Sequence, residues 1–343
     1  MRAKRILCAV LFLAAILVSL PSCGGRYERY NATTFELFDT VTELSGYTES
    51  RERFDEVKEA LFGLLTELHS EFDIYGGGPL AAVNATRGES ERRFEISGEL
   101  YGLLSFCREA YALTDGKVNA AMGSVLSIWH DCRYSDDPRL PDKNALSEAA
   151  AHTDINSFEL SAADGKYILT VTDPYLTFDV GALAKGYAAK RAVELLRSLR
   201  REGEGFLLNL GGMVCPVGEK PEGEAWQVSI EYPTTKPVDG YLRTIAMREG
   251  ALVTSSAHLR SFTVGGKSYG HIIDPDTLYP PEYFASVTVF CADPAMGDLL
   301  STALFCMTES EGRALLEGLE GCEAMWVYAD MTVSTTKNFE KIS

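Results

Sequence analysis

YILTVTDPYLTFDVGALAKGYAAK, residues 167–190, is the stretch on which the fold class turns. Its first half reads as strand, and its second half opens a helix over 186–199. A strand running into a helix also opens dinucleotide and P-loop folds, but those need G-x-G-x-x-G or G-x-x-x-x-G-K-[ST] at the junction. Gly181 and Gly186 match neither spacing. A positive helix end beside Lys185 still suits a phosphate; a tight turn with a surface lysine fits the same residues equally well.

The flanking segments therefore decide the class. On the N-terminal side, 158–180 reads as a hairpin across Ala163-Asp164-Gly165. FELFDTVTELSGY alternates as a strand, after a polar tether over 24–34. RERFDEVKEALFGLLTELHSEFD puts Phe54, Val57, Leu61, Leu65, Leu68 and Phe72 on one helical face, ended by Gly76-Gly77-Gly78-Pro79. A second helix spans 97–113, residues 130–142 read as a loop, and 144–152 as a short helix. On the C-terminal side FLLNLGGMVCPVG, WQVSIEYP, YLRTIAMREGALVTS, RSFTVGGKSYGHIIDP and SVTVFCADP are strand-like; a helix over 294–319 and the strand MWVYA close the chain. Helices and antiparallel strands interleave without a regular strand-helix-strand period, which predicts an α+β fold rather than a doubly wound one.

The 343 residues are 46% hydrophobic and 24% charged, enough for a substantial core. The formal charge of −17 argues against nucleic acid as a partner. An anionic ligand then needs a metal ion, backbone amides or a local lysine to offset the field. Residues 1–22, with Arg2, Lys4 and Arg5 before the apolar run 6–20, predict an export signal. LPSCG after that run resembles a bacterial lipobox, so Cys23 is the expected lipidation site and the chain is expected to be anchored on the outer face of a bacterial cell membrane. Beyond it, Cys107, Cys132, Cys215, Cys291, Cys306 and Cys322 form no Cys-x-x-Cys pair, which argues against zinc, and several sit in apolar runs as buried thiols. No spacing among them demands a disulfide.

Two segments carry candidate chemistry. In CADPAMGDLLSTALFCM, 291–307, Asp293 and Pro294 suit a helix start, and Leu299, Leu300, Ala303, Leu304 and Met307 form its buried side. Asp298 and Thr302 lie one turn apart, a carboxylate and a hydroxyl suited to Mg²⁺ shared with substrate phosphate. An amphipathic helix with two polar positions is the plainer reading of the same residues. In SYGHIIDPDTLYP, 268–280, His271 precedes the turn Asp274-Pro275-Asp276-Thr277, and histidine accepts protons near neutral pH.

DVGALAKGYA, LLNLGG (207–212), HIIDPDT and GDLLSTALF, in this order and separation, resemble the ApbE family of FAD:protein FMN transferases. FDTV, HSEFD with a following Asn84, and TDGKVNAAMGSVLSIW agree, so the resemblance runs from about 35 to 330. It implies a T-fold-like α+β architecture of mixed, mostly antiparallel sheets with flanking helices, in one domain over 35–343. It also implies FAD as substrate and Mg²⁺ as the metal, held by the Ala182 carbonyl and the side chains of Asp298 and Thr302. Asp179 and Lys185 would line the nucleotide site with Phe38, Phe72, Lys117, Val118, Asn119 and Ile273, and His271 would be the base. The implied product is an exported acceptor protein carrying FMN on a Thr or Ser hydroxyl, with AMP released. Hydrolysis of FAD to FMN and AMP, or flavin binding without chemistry, would use the same site. The chain departs from the family pattern at Gly116-Lys117-Val118-Asn119 and Ser256-Ala257-His258, where an acid is lost each time, and at Leu278, where glycine is usual.

Overall fold

The computed structural model describes residues 26–234, 236, 238–258 and 260–342. The expected leader and Cys23 lie outside the described residues. The described chain opens with a hairpin, β1 (Glu28–Leu37) and β2 (Thr40–Thr48). Phe38 and Asp39 close it, both at φ 51°, the left-handed pair that a two-residue turn needs to match strand twist. Such a φ strains a bulky residue. Phe38 is held there because its amide donates to His69 Nδ1 at 3.3 Å and its ring meets the imidazole edge-on, centroids 5.3 Å apart. The polar segment expected as a tether is thus strand from Glu28 onward. Its side chains alternate in exposure along a sheet edge, where pairing on one side suffices without an apolar face.

Ser50 caps α1 (Arg51–Phe72), whose six expected core residues are all buried. After the glycine break come α2 (Pro79–Ala85), β3 (Arg93–Ile96) and α3 (Gly98–Leu113). Next, α4 (Gly123–Tyr134) extends into the segment expected as a loop, because Trp129 and Cys132 are buried on its inner face. Then follow α5 (Lys143–Ala150) and the hairpin β4 (Phe158–Ala163) with β5 (Lys166–Val171), which pairs with β3. Strand structure ends at Val171, and the expected continuation to residue 180 is irregular chain leading into α6 (Ala184–Leu199).

The remaining strands are β6 (Gly205–Leu210), β7 (Met213–Val217), β8 (Trp226–Ile230), β9 (Arg243–Met247), β10 (Ala251–Ser256), β11 (Phe262–Val264), β12 (Lys267–Tyr269) and β13 (Ser286–Cys291). The single helix expected over 294–319 is two, α7 (Pro294–Phe305) and α8 (Glu309–Glu317), because Thr308 and Glu311 form a capping box that starts a new helix. The chain then forms β14 (Glu323–Val327) and β15 (Val333–Thr335).

Eight strands make the main sheet in the order β1-β2-β6-β7-β10-β13-β14-β15, every neighbouring pair antiparallel. The α+β class expected from the sequence is the one observed. Both sheet faces are covered. Val253, Ala324 and Trp326 face the large core that contains α1, α6 and α7, while the alternating Leu252, Met325 and Val327 face a smaller core under the β8–β9 hairpin. The six cysteines among the described residues are buried, as the apolar runs around several of them predict. Among the described residues no helix is long and apolar enough to cross a membrane.

One buried ion pair ties α1 to the turn before β6. Arg53 Nε and Nη2 donate to Glu204 Oε1 and Oε2 at 2.9 and 3.1 Å, and Nη2 also donates to the Leu199 carbonyl at 2.6 Å. Burial pushes the Glu204 carboxyl up, but hydrogen bonds from Arg53 and the Arg201 amide outweigh it and hold the group below its ordinary value. Glu204→Gln leaves the buried Arg53 with only the exposed Glu56, 3.3 Å from its Nη1, as a charged partner and is expected to cost up to about 3–5 kcal/mol in urea unfolding at neutral pH. Because the folded carboxyl lies below its unfolded value, this stabilisation is complete above about pH 5. It fades as pH falls through the folded value, so wild type and variant should converge in acid.

Candidate active site

Between the β1–β2 turn, the end of α1, one face of α4, the N-terminal end of α6 and one face of α7 lies a cleft of about 520 Å³, a size suited to a cofactor-sized ligand. The residues that the sequence marks for catalysis, nucleotide binding and metal binding all line it: Phe38, Phe72, Lys117, Val118, Asn119, Asp179, Ala182, Lys185, His271, Ile273, and the Asp298–Thr302 pair of α7 make up its walls. They come from segments far apart in the chain, and the sheet brings them together.

The junction at the start of α6 is shaped by its contact with α7. Asp298 is buried at 3% exposure, its Oδ2 accepting the Gly186 amide at 2.8 Å and its Oδ1 lying 3.1 Å from Lys185 Nζ. Gly186, in the first turn of α6, serves packing: a Cβ there would lie 2.5 Å from Asp298 Cβ and 3.1 Å from Ala295 Cα. Its amide, one of those a phosphate-binding helix end would offer, is given to Asp298. Gly186→Ala should prise α6 from α7 at a cost of about 1–3 kcal/mol, visible as a lower Tm in thermal unfolding. Upstream, Asn84 of α2 grips the backbone of Phe178 in both directions, its Nδ2 donating to the carbonyl at 2.9 Å and its Oδ1 accepting the amide at 2.8 Å. This fixes the neighbouring Asp179, whose Oδ1 accepts the Gly181 amide at 2.9 Å. Asp179 keeps some open surface on the cleft, yet protein encloses it and raises its carboxyl; the Gly181 amide acts the other way.

The altered turn 116–119 is explained by its partners. Lys117 Nζ reaches Asp274 Oδ1 at 3.0 Å and Asp276 Oδ2 at 2.8 Å, so its charge holds the turn after His271 against this one. Burial pulls that ammonium down, but the two carboxylates prevail and keep it above its ordinary value. Asn119 is engaged at both ends, Nδ2 donating to the Thr153 carbonyl at 2.8 Å and Oδ1 accepting the Ala121 amide at 2.9 Å. Leu278 sits at φ 59°, which is why glycine suits that position. Its amide donates to the Asp274 carbonyl at 2.8 Å, and its carbonyl accepts Trp129 Nε1 at 2.9 Å. Ser256 is hydrogen-bonded to His258 Nδ1. His271, partly exposed, follows β12 and lines the cleft at the head of this braced turn.

To a metal, Asp298 would offer a single buried carboxylate, Thr302 a hydroxyl one turn on, and Ala182 main-chain oxygen, all from residues lining the cleft. Among the described residues no group of three or more His, Cys, Asp and Glu side chains is arranged to hold a metal. One carboxylate with a hydroxyl one turn on is a donor pair that an ion completed by substrate phosphates and water, as Mg²⁺ commonly is, would suit. The sequence model of the ApbE family matches residues 38–326. The chain belongs to the ApbE family.

ApbE-family relatives carry the same likeness. The FAD:protein FMN transferase of Treponema pallidum is 28% identical over 338 residues, covering 94% of this chain and 91% of its own. That of Haemophilus influenzae is 27% identical over 224 residues, 65% of this chain and 64% of its own. Among solved folds, the ApbE protein of Thermotoga maritima superposes with TM-score 0.81 at 24% identity, over 92% of this chain and 99% of that one. The apo flavinyl transferase ApbE of Pseudomonas stutzeri gives 0.76 at 21%, over 92% and 96%.

Sequence reading missed an aromatic series on the rim of this ApbE-family cleft. Tyr75 stacks on His130 with centroids 4.8 Å apart and 23° between planes, and His130 meets Tyr134 at 4.5 Å. Tyr75 and Tyr134 are 61% and 66% exposed, so both ends of the series are open to solvent. Neighbouring protein that lowers its hydration, then the charge of Asp179, push Tyr75 up to about 12. Its place before three glycines was the only local signal; His130 and Tyr134 fell in the segment expected as loop. Arg260 was also missed: it lines the cleft, and its Nη2 donates to the Asp39 carbonyl at 2.6 Å.

Proposed function

We propose that this chain transfers the FMN moiety of FAD to a Thr or Ser hydroxyl of an acceptor protein, releasing AMP, with Mg²⁺ as the metal. The observation that carries the reading is the meeting of Asp298 and Thr302 with the Asp179–Lys185 junction in one cleft of cofactor size, in a member of a family whose curated relatives bear that activity as their name.

Asp298, Thr302 and the Ala182 carbonyl are the oxygens that would hold the ion. When bound, Mg²⁺ there neutralises pyrophosphate charge and polarises phosphorus toward attack. Lys185, beside Asp298, supplies a point charge for the phosphates of a substrate that an acidic chain would otherwise repel. Phe38 and Phe72 offer apolar walls to the flavin. His271 takes the proton of the acceptor hydroxyl as its oxygen bonds to the FMN phosphorus; the bridging phosphorus–oxygen bond breaks and AMP leaves with that electron pair. Holding the two reactants in line supplies much of the rate.

Incubation with FAD, Mg²⁺ and a candidate acceptor, followed by intact mass of the acceptor and assay of AMP, tests this. Transfer predicts a gain equal to an FMN phosphodiester matched by AMP; AMP without that gain means hydrolysis, and intact bound FAD means a carrier. Anchoring through Cys23 at the outer face of the membrane completes the proposal, supported by the leader and the LPSCG motif. Cys23→Ala should shift the protein from the membrane to the soluble fraction or leave it unprocessed; unchanged processing and retention would remove the anchor.

A further inference from the structure

Away from the cleft, two thiols meet at the end of the main sheet. Cys291 is the last residue of β13 and Cys322 immediately precedes β14. The antiparallel ladder between these strands ends with Phe290 opposite Glu323, so one step further Cys291 faces Cys322. Directly opposed residues in such a ladder have Cα atoms about 4.5–5.5 Å apart, inside the range of about 4.4–6.8 Å that a disulfide spans. Their Sγ atoms lie 2.7 Å apart, nearer than two non-bonded sulfurs rest, and both side chains are buried.

We propose that Cys291 and Cys322 form a disulfide that staples the main sheet across the base of α7 and α8. Two residues beyond Cys291, Asp293 caps α7, its Oδ1 accepting the Ala295 amide at 2.8 Å, and its Oδ2 pairs with Lys190 of α6 at 2.7 Å. The bridge thus fixes the point from which α7 carries Asp298 and Thr302 into the cleft. The bond stands independently of the proposed function; only its value to the metal site rests on that reading. Forming it removes two protons and two electrons from the thiols, and a low-molecular-weight disulfide accepts them. One cysteine thiolate attacks the donor and expels its first thiol, and the other then attacks the resulting mixed disulfide and expels the second. Because both sulfurs are buried in the native fold, exchange occurs before the sheet closes, as it would during folding in an oxidising compartment outside the cytoplasm.

The test refolds the purified protein from denaturant into a buffer of reduced and oxidised glutathione, blocks free thiols with iodoacetamide, and digests without reductant. The expected product is one dominant linked pair of peptides joining Cys291 to Cys322. In the same oxidising buffer, Cys322→Ala should lower Tm by roughly 5–10 °C, the loss expected when a closed loop of this size is opened. Recovery of both cysteines as alkylated peptides, or their linkage to other cysteines, in protein with native near-ultraviolet circular dichroism would overturn the bridge. An unchanged Tm in the variant would overturn the staple. Should refolding fail, protein exported through its own leader and purified without reductant is mapped in the same way: the linked pair supports the bridge, and alkylated or otherwise linked cysteines overturn it. Peptide mapping reads no flavin chemistry, so its outcome is separate from that of the transferase assay.

Discussion

Asp298→Ala is expected to lower FMN transfer by about three orders of magnitude or more, because it removes the one carboxylate of the proposed metal-binding set and with it several kcal/mol of charge stabilisation. The variant also strips Lys185 and the Gly186 amide of their shared partner. Asp298→Asn separates these effects. It keeps volume and an acceptor for Gly186 while losing the charge, so it should retain the Tm far better than alanine yet remain comparably inactive. Turnover of FAD measured against Mg²⁺ concentration, beside thermal unfolding of both variants, checks the point. Activity in either variant with ordinary Mg²⁺ dependence would dissolve the proposed metal site.

His271→Ala should behave differently. Loss of a general base costs about two to four orders of magnitude in rate while leaving ground-state contacts largely intact. The variant should therefore still quench flavin fluorescence on binding FAD but transfer little FMN. His271 sits on a turn braced by Lys117 through Asp274 and Asp276 and by Trp129 through Leu278, so the substitution leaves the brace in place. Activity within a few-fold of the native chain would assign the base to another residue.

The contrast between these side chains and their supports marks what the sequence makes legible. Helix α1 was readable because its core residues repeat at helical spacing, and the candidate residues of α7 because a cap, a proline and a polar pair lie close together in the chain. Local signals also marked His271 and the junction at Gly186. What was not legible depends on partners distant in sequence. The role of Gly186 is set by Asp298 of α7, and the ammonium of Lys117 is engaged by Asp274 and Asp276. β1 shows no apolar face because an edge strand needs none, so its polar sequence passed for a tether. The last residues of α4, from His130 on, read as loop because the burial of this helix comes from elements far along the chain, Trp129 packing with Phe262, Tyr269 and Tyr279. The Cys291–Cys322 contact is likewise a product of strand register that spacing alone does not encode.

The central claim is that one cleft binds FAD and Mg²⁺ together through Asp298. It is tested most directly by FAD titration of the His271→Ala chain, where turnover does not intrude, with and without Mg²⁺. The account predicts that Mg²⁺ tightens FAD binding at least about tenfold, a coupling of about 1.4 kcal/mol, and that adding Asp298→Asn abolishes the difference. FAD binding indifferent to Mg²⁺, or a Mg²⁺ effect that survives Asp298→Asn, would contradict it.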